Sequence, residues 1–220
     1  MVSLLPVQAQ ASFTMGILKY VSRDYAAAHQ AFVPLAEQGD SHAQYYLGQM
    51  YRNGEGVKQD FKQAFKWYKL AAQQGEVRSQ HILGQMYHRG VGVIQNHGEA
   101  VRWYELAAAQ GQVSSQTNLA FMYRDDVVIQ DYKEAIRWFR LLAGQDHAFA
   151  HYNLGSMYRK GQGVAADNVT AHMWFNIAAS VGHESARIER DEVAAKMSPA
   201  EVTKAQEMAR QCVDTGYADC

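Results

Sequence analysis

The fold is decided by residues 43–75, which read AQYYLGQMYRNGEGVKQDFKQAFKWYKLAAQQG, because this pattern returns three times further along the chain. The Leu47-Gly48 pair has counterparts at steps of 36, 36 and 35 residues, and a tryptophan followed by a second aromatic residue keeps the same spacing. The counterparts are Leu83-Gly84, Leu119-Ala120 and Leu154-Gly155, and the aromatic pairs are Trp67-Tyr68, Trp103-Tyr104, Trp138-Phe139 and Trp174-Phe175. A fixed period of this length indicates a protein built from repeated supersecondary units.

Each copy is predicted to be a pair of helices. In the first copy, helix A covers residues 41–52 and helix B covers residues 61–74, because apolar side chains recur there at helical spacing. A residue suited to a helix N-cap precedes each helix B, at Asp60, Asn96, Asp131 and Asp167. Three helices B are followed by a glycine that favours the left-handed end of a helix, at Gly75, Gly111 and Gly182.

Stacked helix pairs are predicted to form an all-α, right-handed α-solenoid, because one pair of this size cannot bury its apolar face alone. The predicted segments are a degenerate first repeat at 12–39, four repeats at 40–75, 76–111, 112–146 and 147–182, and C-terminal capping helices at 183–220. In the capping region, one helix is expected from Glu184 to Lys196. A second is expected to begin after Ser198 and to end near Val213.

Composition excludes several classes of protein. The 220 residues carry 21 Lys+Arg against 22 Asp+Glu, and this balance argues against a general nucleic-acid-binding protein. No apolar run approaches the length of a membrane-spanning helix, so no transmembrane segment is predicted. High hydrophobicity with a net charge of −1 also argues against disorder.

Together, the Leu-Gly pair, the Gly-x-Gly-Val turn and the Trp-aromatic pair closely resemble the Sel-1-like repeat family, relatives of the tetratricopeptide solenoids, over about residues 12–182. The resemblance implies a protein-binding solenoid without catalytic activity. Some exported bacterial members are immunity proteins that neutralise type VI secretion lipases, and others are scaffolds in envelope or motor assembly. The resemblance therefore implies an immunity protein as the first hypothesis and a scaffold or adaptor as the second.

Two features of the sequence favour export to a bacterial periplasm. Residues 1–11 resemble the end of a secretory signal peptide, with Ala9-Gln10-Ala11 as a cleavage site before Ser12. Cys212 and Cys220 are close enough in sequence to form a disulfide that would fix the end of the last helix. The alternative is a pair of unrelated thiols in a cytosolic protein.

No catalytic or cofactor-binding motif is recognisable. The Gly-x-Gly-Val turns are not dinucleotide fingerprints, because no strand precedes them. His147 and His151 have the spacing of two ligands on one helix, but no acidic or cysteine partner stands at a useful distance in sequence. We expect surface or packing histidines, and therefore no enzyme, no cofactor and no metal.

The remaining candidate is the face that helix A presents to the concave side of the solenoid. Three positions of each copy fall on this face at i, i+4 and i+7 spacing. They are predicted to be exposed and to bind the partner: Tyr45, Gln49 and Arg52; His81, Gln85 and His88; Thr117, Phe121 and Arg124; Tyr152, Ser156 and Arg159. A basic row extended by Arg89 and Lys160 predicts a groove for an acidic segment of another protein, with balancing acids elsewhere at Asp125-Asp126 and in the C-terminal cap. The alternative is a solvated polar row without a partner.

The third copy departs from the pattern in its A-to-B turn. Both turn glycines are missing, one residue is deleted, and Val127, Val128 and Ile129 follow in sequence. Such a turn either results from neutral drift or presents an apolar contact to a neighbour. The sequence leaves both alternatives open.

Overall fold

The computed structural model describes residues 7–126, 128–217 and 220, with side chains described from residue 12 onward, and within these residues it contains helices but no strands. The helices, in chain order, are α1 (Val7–Val21), α2 (Tyr25–Glu37), α3 (Ser41–Asn53), α4 (Phe61–Gln73), α5 (Val77–Arg89), α6 (His97–Ala109), α7 (Val113–Asp125), α8 (Tyr132–Ala143), α9 (Ala148–Lys160), α10 (Asn168–Ser180), α11 (Glu184–Ala194) and α12 (Pro199–Asp214). The predicted all-α architecture of repeated helix pairs is confirmed.

The chain forms two compact units, an N-terminal unit of residues 1–115 and a C-terminal unit of residues 116–220. In the N-terminal unit, α1 pairs with α2, α3 with α4 and α5 with α6, and each pair packs on the next. In the C-terminal unit, α8 packs on α9, α9 on α10, and α10 contacts both α11 and α12. No helix in the described part of the chain is both long enough and apolar enough to cross a membrane.

The predicted caps fix where each helix B begins. The side chains of all four residues accept hydrogen bonds from backbone N–H groups in the first turn of their helix, at Asp60, Asn96, Asp131 and Asp167. The glycines after helix B adopt positive φ angles, at Gly75, Gly111 and Gly182, and Asp146 does so in the third copy. Local sequence therefore sets the limits of these helices, within one or two residues of the prediction.

A glycine on helix A lets the two helices of a repeat approach closely. A Cβ atom at Gly48 would lie 2.7 Å from the ring of Tyr68, and one at Gly155 would lie 2.7 Å from the ring of Phe175. Both rings are fully buried, as is Leu47 beside Gly48. The Leu-Gly pair and the aromatic residue of helix B are thus one packing unit, which explains their fixed spacing.

The turns from helix A to helix B differ between the repeats. Gly92 has a φ of +72°, and a Cβ there would lie 2.7 Å from the backbone carbonyl carbon of Phe61, so only glycine fits without strain. In the third repeat Val128 is 74% exposed, and Val127 lies outside the described residues. The exposure of Val128 shows that its side chain does not pack into the core of its own unit.

The C-terminal helices hold the end of the chain against the fourth repeat. Helix α11 ends at Ala194, two residues before the predicted Lys196, while Ser198 caps α12 in a full capping box with Glu201. Cys212 and Cys220 are joined by a disulfide, with their Cα atoms 5.4 Å apart. The predicted signal-peptide end at residues 1–11 is described only from Val7, where α1 begins, and it remains a prediction.

Candidate binding faces of the two units

The twelve predicted binding residues lie on α3 and α5 of the N-terminal unit and on α7 and α9, which contribute Thr117 and the residues after it to the C-terminal unit. None of the twelve is fully exposed, so Arg52, Arg124 and Arg159 are less exposed than expected. They are half-buried or, for Tyr45, buried, because neighbouring helices cover part of each side chain. Which of them remain available to a partner depends on the contacts within each unit.

Tyr45 contributes to packing in the N-terminal unit rather than to an open surface. It is 8% exposed, and the guanidinium of Arg78 lies 3.9 Å from the centre of its ring. Gln49 donates a hydrogen bond to the Tyr45 hydroxyl oxygen at 2.5 Å. Arg78 also forms an ion pair with Glu76 at 2.8 Å, so this cation is held within the unit.

The counterpart in the second repeat is a histidine. His81 Nδ1 lies 2.8 Å from Ser115 Oγ, and His81 Nε2 lies 3.0 Å from Gln85 Nε2. If Gln85 donates to Nε2, then Nδ1 carries the proton and donates to Ser115. Burial lowers the pKa of the His81 imidazole, and this favours the neutral ring that the hydrogen bonds require. His88 lies further along α5, with its ring centre 5.5 Å from that of His97.

Arg52 and Arg89 have a different environment. Both residues line a cavity of about 170 Å³ near the turn end of α3 and α5, and among the described residues neither one forms an ion pair with a carboxylate. Arg52 lies close to Tyr68, whose pKa is raised by burial while the arginine opposes that shift. Arg52 and Arg89 thus lie together at one cavity without a carboxylate partner among the described residues.

Arg124 of the C-terminal unit is bound by its own neighbours. Its guanidinium contacts both carboxylate oxygens of Asp125, each at 2.6 Å, and also donates to the Asn153 side chain. The same group lies 4.8 Å from the centre of the Phe121 ring. The expectation that Asp125 balances the charge from elsewhere on the surface is wrong, because Asp125 sits directly on the arginine.

Arg159 is also neutralised within the C-terminal unit. Its Nη1 contacts the carboxylates of Glu189 and Glu192, both from α11, with the second 3.3 Å away. The side chains of Arg159 and Glu189 are 29% and 24% exposed, so this pair is partly shielded from water. The acids of the capping helix therefore pair with a residue of the predicted binding row.

The aromatic positions of the C-terminal unit are similarly occupied. The Tyr152 ring stacks on His183 with centres 4.6 Å apart, and Phe121 stacks on Phe149 at 6.3 Å. Thr117 and Ser156, the other two residues predicted on this face, are half-buried. Most of the predicted face of this unit thus forms internal contacts.

Comparison with known proteins agrees with the repeat geometry. The model of the Sel1 repeat matches four consecutive segments, at residues 41–76, 77–112, 113–147 and 148–183. The chain belongs to the Sel1 repeat family. Sel1 repeat proteins are generally of a scaffold or binding type. Among curated proteins, no sequence matches the chain.

Solved structures of other Sel1 repeat proteins are similar to it. A Sel1 repeat protein from Oxalobacter formigenes is 30% identical with a TM-score of 0.71, over 82% of this chain and 74% of that one. The protective antigen c5321 of uropathogenic Escherichia coli is 31% identical with a TM-score of 0.74, over 96% of this chain and 47% of that one. Immunity protein Pa5087 of Pseudomonas aeruginosa is more distant, with 19% identity and a TM-score of 0.44 over 97% of this chain and 82% of that one.

Sequence reasoning missed a set of buried glutamines in these Sel1 repeats. Gln44 donates to the Ala36 carbonyl at 3.0 Å and accepts from Gln74 at 2.8 Å. Gln80 and Gln110 repeat this arrangement, and Gln145 donates to Gln116 in the C-terminal unit. The recurrence of glutamine at the repeat spacing was the available signal.

In the fourth repeat His151 replaces the buried glutamine. It is fully buried, and its Nε2 lies 3.3 Å from the Ala143 carbonyl oxygen. Its ring stacks on Tyr217, with centres 4.9 Å apart, and the Tyr217 hydroxyl donates to Asp146 at 2.8 Å. The predicted role of His151 in packing is confirmed.

Proposed function

We propose that this Sel1 repeat protein is a non-enzymatic binding protein that recognises an acidic segment of another protein. The observation that carries the proposal is the pair Arg52 and Arg89, which line one cavity and lack anionic partners among the described residues. Arginine is enriched at binding hot spots and binds carboxylates through two parallel hydrogen bonds. The predicted basic row is thereby narrowed to the N-terminal unit, where Gln85 lines the same cavity as the two arginines.

The finer proposal is that the protein is a periplasmic immunity protein that binds and neutralises a secreted lipase-type effector of a type VI system. The resemblance of residues 1–11 to a signal peptide and the Cys212–Cys220 disulfide support export. The two arginines without carboxylate partners support recognition of an acidic surface on the effector. A scaffold in envelope or motor assembly is the second candidate, favoured by the outward-facing leucines Leu70 and Leu106, which are 45% and 42% exposed.

A pull-down from extract of the source organism tests the proposal. The bait is the wild-type protein, the double variant Arg52→Glu/Arg89→Glu, or the control Lys66→Glu/Arg102→Glu. The control makes the same change of net charge on helices B of the same unit, where both residues are exposed. We expect a protein that the wild type and the control capture and the arginine variant loses. Equal capture by all three would refute recognition through Arg52 and Arg89.

The captured protein then separates the two roles. A secreted lipase whose activity falls when the purified protein is added, and falls less with Arg52→Glu/Arg89→Glu, would support the immunity role. A set of envelope components retained by every variant would support the scaffold instead.

A further inference from the structure

The cavity between Arg52 and Arg89 has two chemically distinct parts. Arg52 and Arg89 contribute cationic side chains to its lining, and Ile82, Met86 and Phe61 contribute apolar ones. Ile82 and Met86 are 7% and 3% exposed and are therefore held in place by the core, while Phe61 is 39% exposed. A ligand that carries only charge would pair with the arginines and leave the apolar side chains of the cavity in contact with water.

The size of the cavity restricts the ligand. Its volume of about 170 Å³ corresponds to roughly six water molecules at about 30 Å³ each. This space is large enough for one aliphatic side chain. Displacement of water from the apolar wall by such a side chain is favourable, because apolar surface is removed from water on both partners.

We infer that the cavity binds an acidic–aliphatic element of a partner protein, in which a carboxylate meets Arg52 and Arg89 and a neighbouring leucine-type side chain fills the space above Ile82 and Met86. The inference rests on the proposed protein-binding function and specifies what that site recognises. Charge complementarity selects the occupant, since the two arginines that line the cavity pair with no carboxylate among the described residues.

Gln85 adds direction to this site. Gln85 lines the cavity, and because its Nε2 pairs with His81, its side-chain oxygen is the atom left to accept a hydrogen bond. A bound segment in extended conformation offers backbone N–H groups, and one of these is suited to donate to that oxygen. The site thus combines two donors for a carboxylate, one acceptor for a backbone and an apolar wall.

Titration of the isotopically labelled full chain with three synthetic peptides, followed by nuclear magnetic resonance, tests the inference. The probes are acetyl-Ser-Asp-Leu-Asp-Ser-amide, its Asn-Leu-Asn analogue and its Asp-Ala-Asp analogue. We expect the first peptide to shift the Nε–H signals of Arg52 and Arg89 and to bind about tenfold more tightly than either analogue. Binding of the first peptide should weaken as salt is raised.

Protein variants complete the test. Arg52→Gln and Arg89→Gln should each weaken binding of the Asp-Leu-Asp peptide severalfold, whereas Lys66→Gln/Arg102→Gln should leave it unchanged. Equal affinity for all three peptides, displacement by inorganic phosphate at equal concentration, or no shift at either arginine would overturn the inference. If the pull-down depends on the arginines while the peptides fail, the proposed function stands and only the acidic–aliphatic specificity is lost.

Discussion

The two units of this protein place arginines on the same helix of their repeats and leave them in opposite states. Arg52 and Arg89 of the N-terminal unit have no carboxylate partner among the described residues, whereas Arg124 and Arg159 of the C-terminal unit are paired with acids of their own unit. Position within a repeat thus determines where a cation lies. Its neighbours determine whether it is available to a partner or contributes to stability.

The largest effect is expected from the turn after Arg89, whose Val91 lines the same cavity as the two arginines. Gly92→Val places a branched side chain at a φ of +72° and against the backbone of Phe61, so we expect a loss of about 3 kcal/mol in the free energy of unfolding. Val128→Gly, in the divergent turn of the C-terminal unit, should change it by less than about 0.5 kcal/mol. Urea denaturation measures both, and similar losses would show that the two turns are equally constrained.

The disulfide is expected to stabilise only the C-terminal unit. Its removal in Cys212→Ala/Cys220→Ala opens a loop of about nine residues, which the chain-entropy model values at about 2.5 kcal/mol. Hydrogen exchange should accelerate in α12 and leave α3 to α6 unchanged. A reducing agent should reproduce this pattern in the wild type and have no effect on the variant. Faster exchange in α3 to α6 would contradict a local role.

A smaller loss of stability is expected from the ion pairs of Arg159. Arg159→Gln leaves Glu189 and Glu192 without their partner, and the partial burial of Glu189 implies a cost of about 1 kcal/mol. Arg52→Gln should be nearly neutral, because no carboxylate is abandoned. Thermal unfolding of the two variants tests this difference, and an equal loss would remove the distinction between the units.

The smallest expected effect is a change in pH dependence. Burial lowers the pKa of His151 in the folded protein, so the unfolded chain binds more protons once the pH falls below the ordinary value of 6.5. Stability should therefore decrease as the pH falls through that value toward the lower, folded-state pKa. His151→Gln restores the residue of the other repeats, and its unfolding free energy should fall less over this range. An identical slope in the two proteins would exclude His151 as a contributor.

The helices and their limits were predictable because their signals are local. Asp60 and Gly75 act within a few residues of their own position, and Gly48 and Tyr68 keep a spacing that the repeat imposes. The prediction of four repeats required only that these caps and this spacing recur along the sequence.

The state of the candidate site was only partly predictable. Asp125 directly follows Arg124, so their pairing was visible in the sequence, although it was interpreted as charge balance elsewhere. The pairing of Arg159 with Glu189 depends on how α11 folds back, and no local pattern encodes that contact. The cavity wall likewise combines Phe61 with Ile82, residues of two different repeats that the periodicity alone does not bring together.

The most direct test compares two matched double variants, Arg52→Gln/Arg89→Gln and Arg124→Gln/Arg159→Gln. Each variant removes two positive charges. For both, the affinity for the captured partner is measured by calorimetry and the melting temperature by thermal unfolding. We expect the first variant to lose affinity by several kcal/mol and keep its melting temperature, and the second to keep its affinity and melt at a lower temperature. Loss of affinity in the second variant with full binding by the first would contradict it.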